Sequence, residues 1–336
     1  MIDVACFKND FKVDKIAQTC PGVDKKIISK RISEIKKYKK QLKALLSIPK
    51  VEQKSEEWYA LRKNLVTASD FAQALGKGKF GTVKQFYQKK CEKVDDAAAS
   101  KTNPFFKWGN MFEPVAISIY SHTNNDIKVH NFGLLQHNVH KFFGASPDGI
   151  SDVGIMVEIK CPFKRKVIEG GEVPEQYAYQ IQGQLDVCGL RECDYFECEF
   201  LAVDNEEDFI GLSDKLAYTG IVVEKSPDTY EYSVIDASRQ DAVKWHRQFD
   251  ARCARTFWYL NCCNKKRVYR NDAFLEENMK KLKDVWDNVL RYREDRNAYE
   301  IEVLNEIKIE TQRFYTGKSA NMALKGWSFI DDQEDI

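Results

Sequence analysis

Residues 144–162 read GASPDGISDVGIMVEIKCP, and three charges in this otherwise apolar stretch decide how the chain is read. In the strand VGIMVEIK side chains alternate, so Ile155, Val157 and Ile159 enter one layer while Met156, Glu158 and Lys160 face the other. Asp148 precedes Glu158 by ten residues across a tight turn at Ser151–Gly154, which lets adjacent strands bring the two carboxylates together. Asp148, Glu158 and the backbone carbonyl of Ile159 are hard oxygen ligands, in the number that Mg²⁺ accepts while keeping several waters. Lys160 can then orient or deprotonate a metal-bound water, or stabilise charge developing on phosphorus. On the hairpin alone, an exposed Glu–Lys pair on a surface turn explains the charges equally well. Read as exposed, the carboxylates are expected to be removable without opening a core cavity.

The 336 residues provide apolar material for one large domain with extensions or for two modest ones. No uninterrupted apolar run reaches the roughly 18 residues of a membrane span, and MIDVACFKNDFK lacks the order of a signal peptide. The ten cysteines show no paired metal-binding spacing, and Cys161, Cys188 and Cys198 lie in apolar runs. Reduced structural thiols are expected, hence an intracellular, reducing compartment: host cytoplasm or nucleus for a viral protein, cytoplasm for a bacterial one. A net charge of +1 excludes a globally basic nucleic-acid binder, yet residues 1–50 hold 13 Lys and Arg against 5 Asp and Glu. A phosphate-tracking channel needs only such local charge.

Ile28, Ile32, Ile35, Tyr38, Leu42 and Leu45 recur at helical spacing, predicting an amphipathic helix over 23–46 that ends before Pro49. A second helix is expected from Ser55 with a stripe of Trp58, Leu61 and Leu65. TASDF restarts a helix capped by Thr67 or Ser69, and LGKGKFG breaks it. A mobile connection is expected at 95–104 and a helix at 108–121. Strands follow at 129–135, 141–150 and 153–160, then a helix over 175–188 and a strand over 195–203. This order predicts an α/β (α+β) fold with a mixed central sheet flanked by helices. After a β-like stretch at 220–234, residues 237–261 and 272–310 read as helical. The expected divisions are a basic helical extension (1–54), a core (55–235) and a helical C-terminal region packed on it (236–336).

SPDG, EIKCP ten residues on, and the upstream WGNMFEP resemble the PD-(D/E)xK nuclease superfamily, specifically the phage-lambda-type exonucleases and YqaJ-like viral recombinase nucleases. The similarity covers roughly residues 55–200 and implies a restriction-endonuclease-like core. It also implies that Asp148 and Glu158 bind the catalytic metal, Mg²⁺ with Mn²⁺ as a substitute, while Lys160 assists the water. Glu113 matches a metal-site glutamate of the preceding helix, and Tyr177 and Gln180 match a YxxQ-type pattern. On the helix at 175–188, Tyr177, Gln180 and Gln184 share one face. Arg62 and Ser69 match an arginine and a serine that hold a terminal 5′ phosphate, a task suited to a forked guanidinium and a hydroxyl at a helix start. One departure is the absence of a further aspartate before SPD: in LLQHNVHKFFG, Asn138 or His137 would have to substitute, or a second metal is bound differently.

The resemblance implies a Mg²⁺-dependent 5′→3′ exonuclease on linear double-stranded DNA, leaving 3′ tails for recombination, repair or viral genome processing. Two alternatives are a same-fold endonuclease or RecB/Cas4-like nuclease, and a catalytically silent DNA-end-binding protein. Expected partners are DNA ends and, by analogy, a single-strand-annealing protein. The basic N-terminal helix is a candidate duplex clamp, and a trimeric ring is one arrangement open to the chain.

Overall fold

The computed structural model describes residues 12–79, 81–92 and 103–309. Most of the connection at 95–104 and the acidic tail from Asp331 lie outside the described residues. The order runs α1 (Val13–Thr19), α2 (Lys25–Leu46), α3 (Glu56–Lys63), β1 (Val66–Thr67), a 3₁₀ turn (Ala68–Asp70), α4 (Phe71–Ala74), α5 (Val83–Cys91) and α6 (Pro104–Thr123). Five short strands follow: β2 (Val129–His130), β3 (Leu135–Gln136), β4 (Phe143–Ala145), β5 (Gly149–Ser151) and β6 (Met156–Lys160). Then come α7 (Glu175–Cys188), β7 (Glu192–Val203), α8 (Glu206–Ile210), β8 (Thr219–Ser226), β9 (Thr229–Tyr232), α9 (Arg239–His246), β10 (Ala254–Tyr269), α10 (Asp272–Glu294) and α11 (Arg296–Tyr299).

The main sheet has seven strands in the order β2-β5-β6-β7-β10-β8-β9. Its β6–β7 pair is parallel and the others are antiparallel, so the expected mixed sheet flanked by helices is the one observed. A parallel pair needs a crossover, and α7 supplies it, ending at Gly189 in the left-handed conformation (φ +62°).

Strand alternation sorts the core as expected. Val157, Ile159, Phe196, Cys198 and Phe200 pack with Ile28, Ile32 and Ile35 of α2 and with Met111, Phe112 and Val115 of α6. On the opposite face Met156, Cys193 and Tyr195 pack with Ile181 and Leu185 of α7, with Leu42 and Leu45, and with Leu275, Leu282 and Val289 of α10. α2 is capped by the Asp24 side chain, which accepts the Lys26 N–H.

Two readings of the sequence are corrected. The stripe expected on α3 does not form: Leu61 is exposed, no residue of this eight-residue helix is buried, and Leu65 lies beyond its end. The helical reading of 237–261 holds only for Arg239–His246, because Ala254–Tyr269 is a strand inserted between β7 and β8. The run TFWYL is β-branched and aromatic, and its consecutive side chains enter different cores: Phe257 joins Phe209 and Ile221, whereas Trp258 joins Phe112 and Phe200. Because the neighbouring Phe257 and Trp258 are both buried, on opposite faces, the alternation that would have announced a strand is lost at this point. The sheet and the larger core thus draw on residues beyond 236 and before 55. Trp258→Ala is expected to cost about 3–5 kcal/mol, read from urea unfolding.

Candidate active site

β5 and β6 pair with Gly149 opposite Val157 and Ile150 opposite Met156. Asp148, one residue before β5, therefore stands across from Glu158, and its Oδ2 accepts the Ile159 N–H at 2.7 Å. Glu158 has no exposed surface. Two amides one helical turn apart on α7 hold it: Gln180 Nε2 donates to Oε1 at 2.6 Å and Gln184 Nε2 to Oε2 at 2.7 Å. The Lys160 ammonium also donates to Oε1 and lies 5.0 Å from the centre of the Tyr177 ring. The expectation of an exposed carboxylate pair is thereby corrected.

The electrostatics are those of crowded acids. Burial, followed by the nearby charges of Glu158 and Glu113, pushes the Asp148 carboxyl well above the usual range. Burial likewise raises Glu113 on α6, opposed by Lys54 and Lys160 and assisted by Glu158. Burial alone would depress the Lys160 ammonium, but Glu158 and Asp148 hold it above the ordinary lysine range. Gln184 Oε1 is buried without a donor.

This donor set fits a hard divalent cation. Oxygen acids share a buried space with too little positive charge, beside an acceptor oxygen that a cation's water could satisfy. Among the described residues no group of three or more His, Cys, Asp and Glu side chains is already assembled around a metal position. Lys160 bonds the Glu158 oxygen that a cation would share.

A second cluster lies at the C-terminal end of α3. The Arg62 guanidinium stacks over the Trp58 ring at 4.3 Å and its Nη2 donates to Ser69 Oγ at 3.2 Å. Ser69 Oγ is 3.0 Å from Thr67 Oγ1, which donates to Asp70 Oδ2 at 2.8 Å. Thr67 and Asp70 form the capping box of the 3₁₀ turn, so Thr67 is the cap and Ser69 is left exposed. Asp70 Oδ2 also meets the buried Lys90 ammonium at 2.9 Å, and Lys90 Nζ donates to the Arg62 carbonyl at 2.9 Å. Burial drives Lys90 down to about 8 against the pull of Asp70. Asp70 is raised by burial, but Lys89, Lys90 and Arg62 together hold it well below the carboxylate range. Trp58 joins the two clusters, because its Nε1–H donates to Ser146 Oγ at 3.1 Å, two residues before Asp148.

Residues 57–191 match the family model described as the YqaJ-like viral recombinase domain. That stretch is similar to the YqaJ-like viral recombinase family. The uncharacterized protein R354 of Acanthamoeba polyphaga mimivirus is 33% identical over 186 residues, 51% of this chain and 33% of the relative. The chain therefore spans about a third of the length of that curated relative. Among solved structures, an alkaline exonuclease from Laribacter hongkongensis is 21% identical, with 76% of this chain and 100% of that chain covered and a TM-score of 0.45. Its complex with dAMP gives 21%, 74%, 100% and 0.47. A phage-related exonuclease from Haemophilus somnus gives 14%, 72%, 96% and 0.34.

Within residues 57–191 the structure brings Asp148, Glu158, Lys160, Gln180, Tyr177 and Glu113 together, and separately Arg62 and Ser69. It does not bring His137 or Asn138 to the acids. His137 lies 3.4 Å from Asp186 and its Nδ1 accepts the Val139 and His140 N–H groups, while Asn138 is exposed. The tight turn at 137–140 consumes the first of these side chains. Sequence reasoning put Gln184 on the same face as Gln180 without giving it a partner. It missed Trp58 as a link, Ser146, and the Asp70–Lys90 pair, whose partners are 20 residues apart on different elements. Nine cysteines, those among the described residues, are free thiols, in line with the reduced state expected of them. No helix of the described residues is long and apolar enough to cross a membrane.

Proposed function

We propose that this chain is a Mg²⁺-dependent nuclease that degrades linear double-stranded DNA 5′→3′ from phosphorylated ends. Asp148 and Glu158 would hold the cation with the Ile159 carbonyl, and Glu113 would add charge behind them. The bound cation supplies a polarised water and neutralises charge on the phosphate. Gln180 and Gln184 fix both oxygens of Glu158, so its orientation is set before substrate arrives. Lys160, which bonds Glu158 and lies beside the Tyr177 ring, would orient the attacking water or stabilise charge developing on the phosphate. Arg62 and Ser69 would take the terminal 5′ phosphate, with Tyr177 beside the path of the strand. The matched family and the nuclease titles of the solved structures agree with this reading.

The observation that carries it is Trp58, which stacks under the Arg62 cation and bonds Ser146 beside Asp148. One rigid indole thus ties an exposed anion-binding pair to the acid pair, the arrangement an enzyme that starts at chain ends requires. Recombination, viral genome processing and a single-strand-annealing partner follow the family reading. The deciding experiment incubates the protein with Mg²⁺ and either end-labelled linear duplexes or a covalently closed circle. Linear duplex shortened from its 5′ ends and an intact circle are expected; a nicked or linearised circle points to an endonuclease instead, and no cleavage to a silent end-binder.

Metal binding has a readout that does not require activity. Because folding raises the Asp148 and Glu113 carboxyls, their contribution to metal-free stability is present below the ordinary carboxylate range and is lost as pH rises through their folded-state values. Mg²⁺ replaces those protons. It should therefore raise the thermal midpoint more at about pH 8 than at about pH 5.5, by scanning fluorimetry, and Asp148→Asn should flatten the difference.

A further inference from the structure

Lys90 is among the least exposed charged side chains of the described residues, and the acid site does not use it. Its ammonium lies between the Arg62 carbonyl and the Asp70 carboxylate, each at 2.9 Å. From there the bonds run on through Thr67 Oγ1 (2.8 Å from Asp70) and Ser69 Oγ (3.0 Å), and return through the 3.2 Å contact to Arg62 Nη2. The path leaves Arg62 by its backbone and comes back to its side chain. Arg62 closes α3 and Ser69 sits in the 3₁₀ turn after β1, so no regular element fixes one against the other. Two further contacts hold the Lys90 backbone in place: Arg293 of α10 donates to the Lys90 carbonyl from Nη2 at 2.8 Å and from Nε at 3.2 Å, and its Nη2 also bonds the Lys63 carbonyl at 2.7 Å.

Taking a lysine ammonium and an aspartate out of water is costly, and an apolar pair of the same volume commonly serves stability as well. A charged pair at this place is explained by geometry. The ammonium has three donors, which can satisfy a helix-terminal carbonyl and a carboxylate together.

We propose that Lys90 and Asp70 are positioning residues that set the spacing of Arg62 and Ser69, and through it the preference for a 5′-phosphorylated DNA end. This rests on the reading of Arg62 and Ser69 as the end-phosphate pair. Lys90 and Asp70 are both buried, whereas Lys89, 3.2 Å from Asp70 Oδ1, is partly exposed.

The test breaks the path at two separate places. Lys90→Met in an Asp70→Asn background removes both charges at nearly constant volume, and Thr67→Val removes the hydroxyl that links Asp70 to Ser69 together with its half of the capping box, a loss the unfolding midpoint reads separately. Rates are measured with Mg²⁺ on the same linear duplex carrying 5′-phosphate or 5′-hydroxyl ends, beside urea unfolding of each variant. Both variants are expected to lower the phosphate-to-hydroxyl ratio of kcat/KM about tenfold, mainly through KM. Rates that fall equally on both ends, or a ratio kept while only the unfolding midpoint moves, overturn the proposal and leave the pair a purely structural one. If the doubly substituted chain does not fold, Thr67→Val decides alone. Arg62→Ala is the control: an unchanged ratio there removes the phosphate reading itself, whereas a lost ratio there with a kept ratio in the other variants removes only the positioning role.

Discussion

Glu158→Gln is expected to lower Mg²⁺-dependent cleavage of linear duplex DNA by roughly 10³-fold or more, since loss of a metal-bearing carboxylate forfeits several kcal/mol of barrier reduction. The choice of glutamine matters because Glu158 is fully buried and accepts from Gln180, Gln184 and Lys160. An alanine there strands three donors and costs about 1–3 kcal/mol for each one left unsatisfied, so lost activity would be confounded with lost fold. Glutamine keeps the volume and one carbonyl oxygen. Cleavage rates and urea midpoints measured together separate the two effects. A variant that retains its rate would remove Glu158 from the metal set.

Arg62→Ala is the second large effect. Charge-assisted hydrogen bonds from a guanidinium contribute about 1.5–3 kcal/mol, so the preference for 5′-phosphate over 5′-hydroxyl ends is expected to fall roughly 10–100-fold. The cost to the fold should be small, because the side chain packs on one face of Trp58 and bonds the exposed Ser69. Competition between the two duplexes in a single reaction reads the preference directly. A uniform loss on both ends would place Arg62 along the duplex path rather than at its terminus.

The hairpin was legible because a strand's period of two is rigid. Once Met156 is buried against one layer and Val157 against the other, Glu158 and Lys160 have one possible side, and the register of β5 fixes Asp148 opposite. Helical spacing did the same for Gln180 and Gln184. What the sequence concealed was burial: two glutamines and a lysine let a carboxylate sit fully inside the protein, which a pattern of charge on a hairpin presents as surface. The second cluster was half legible. A motif pointed to Arg62 and Ser69, but the Asp70–Lys90 pair depends on how α5 packs, and a Lys-Lys doublet carries no sign that one of its members is buried. The misread of 254–261 has the same origin, since Phe257 and Trp258 are buried on opposite faces and break the alternation.

The position of β10 bears on when the candidate site can be completed. β7, the parallel neighbour of the strand carrying Glu158 and Lys160, has β10 as its other partner, and the two pair from Phe257–Val203 to Tyr269–Glu192. The chain that completes the sheet is made more than 90 residues after the hairpin that carries the acids. Such long-range pairing closes slowly and late. A ribosome-bound chain that has emerged only as far as α7 thus holds every acid and amide of the candidate site on an unfinished sheet. The order of synthesis itself delays completion of the sheet under the candidate site until β10 has been made.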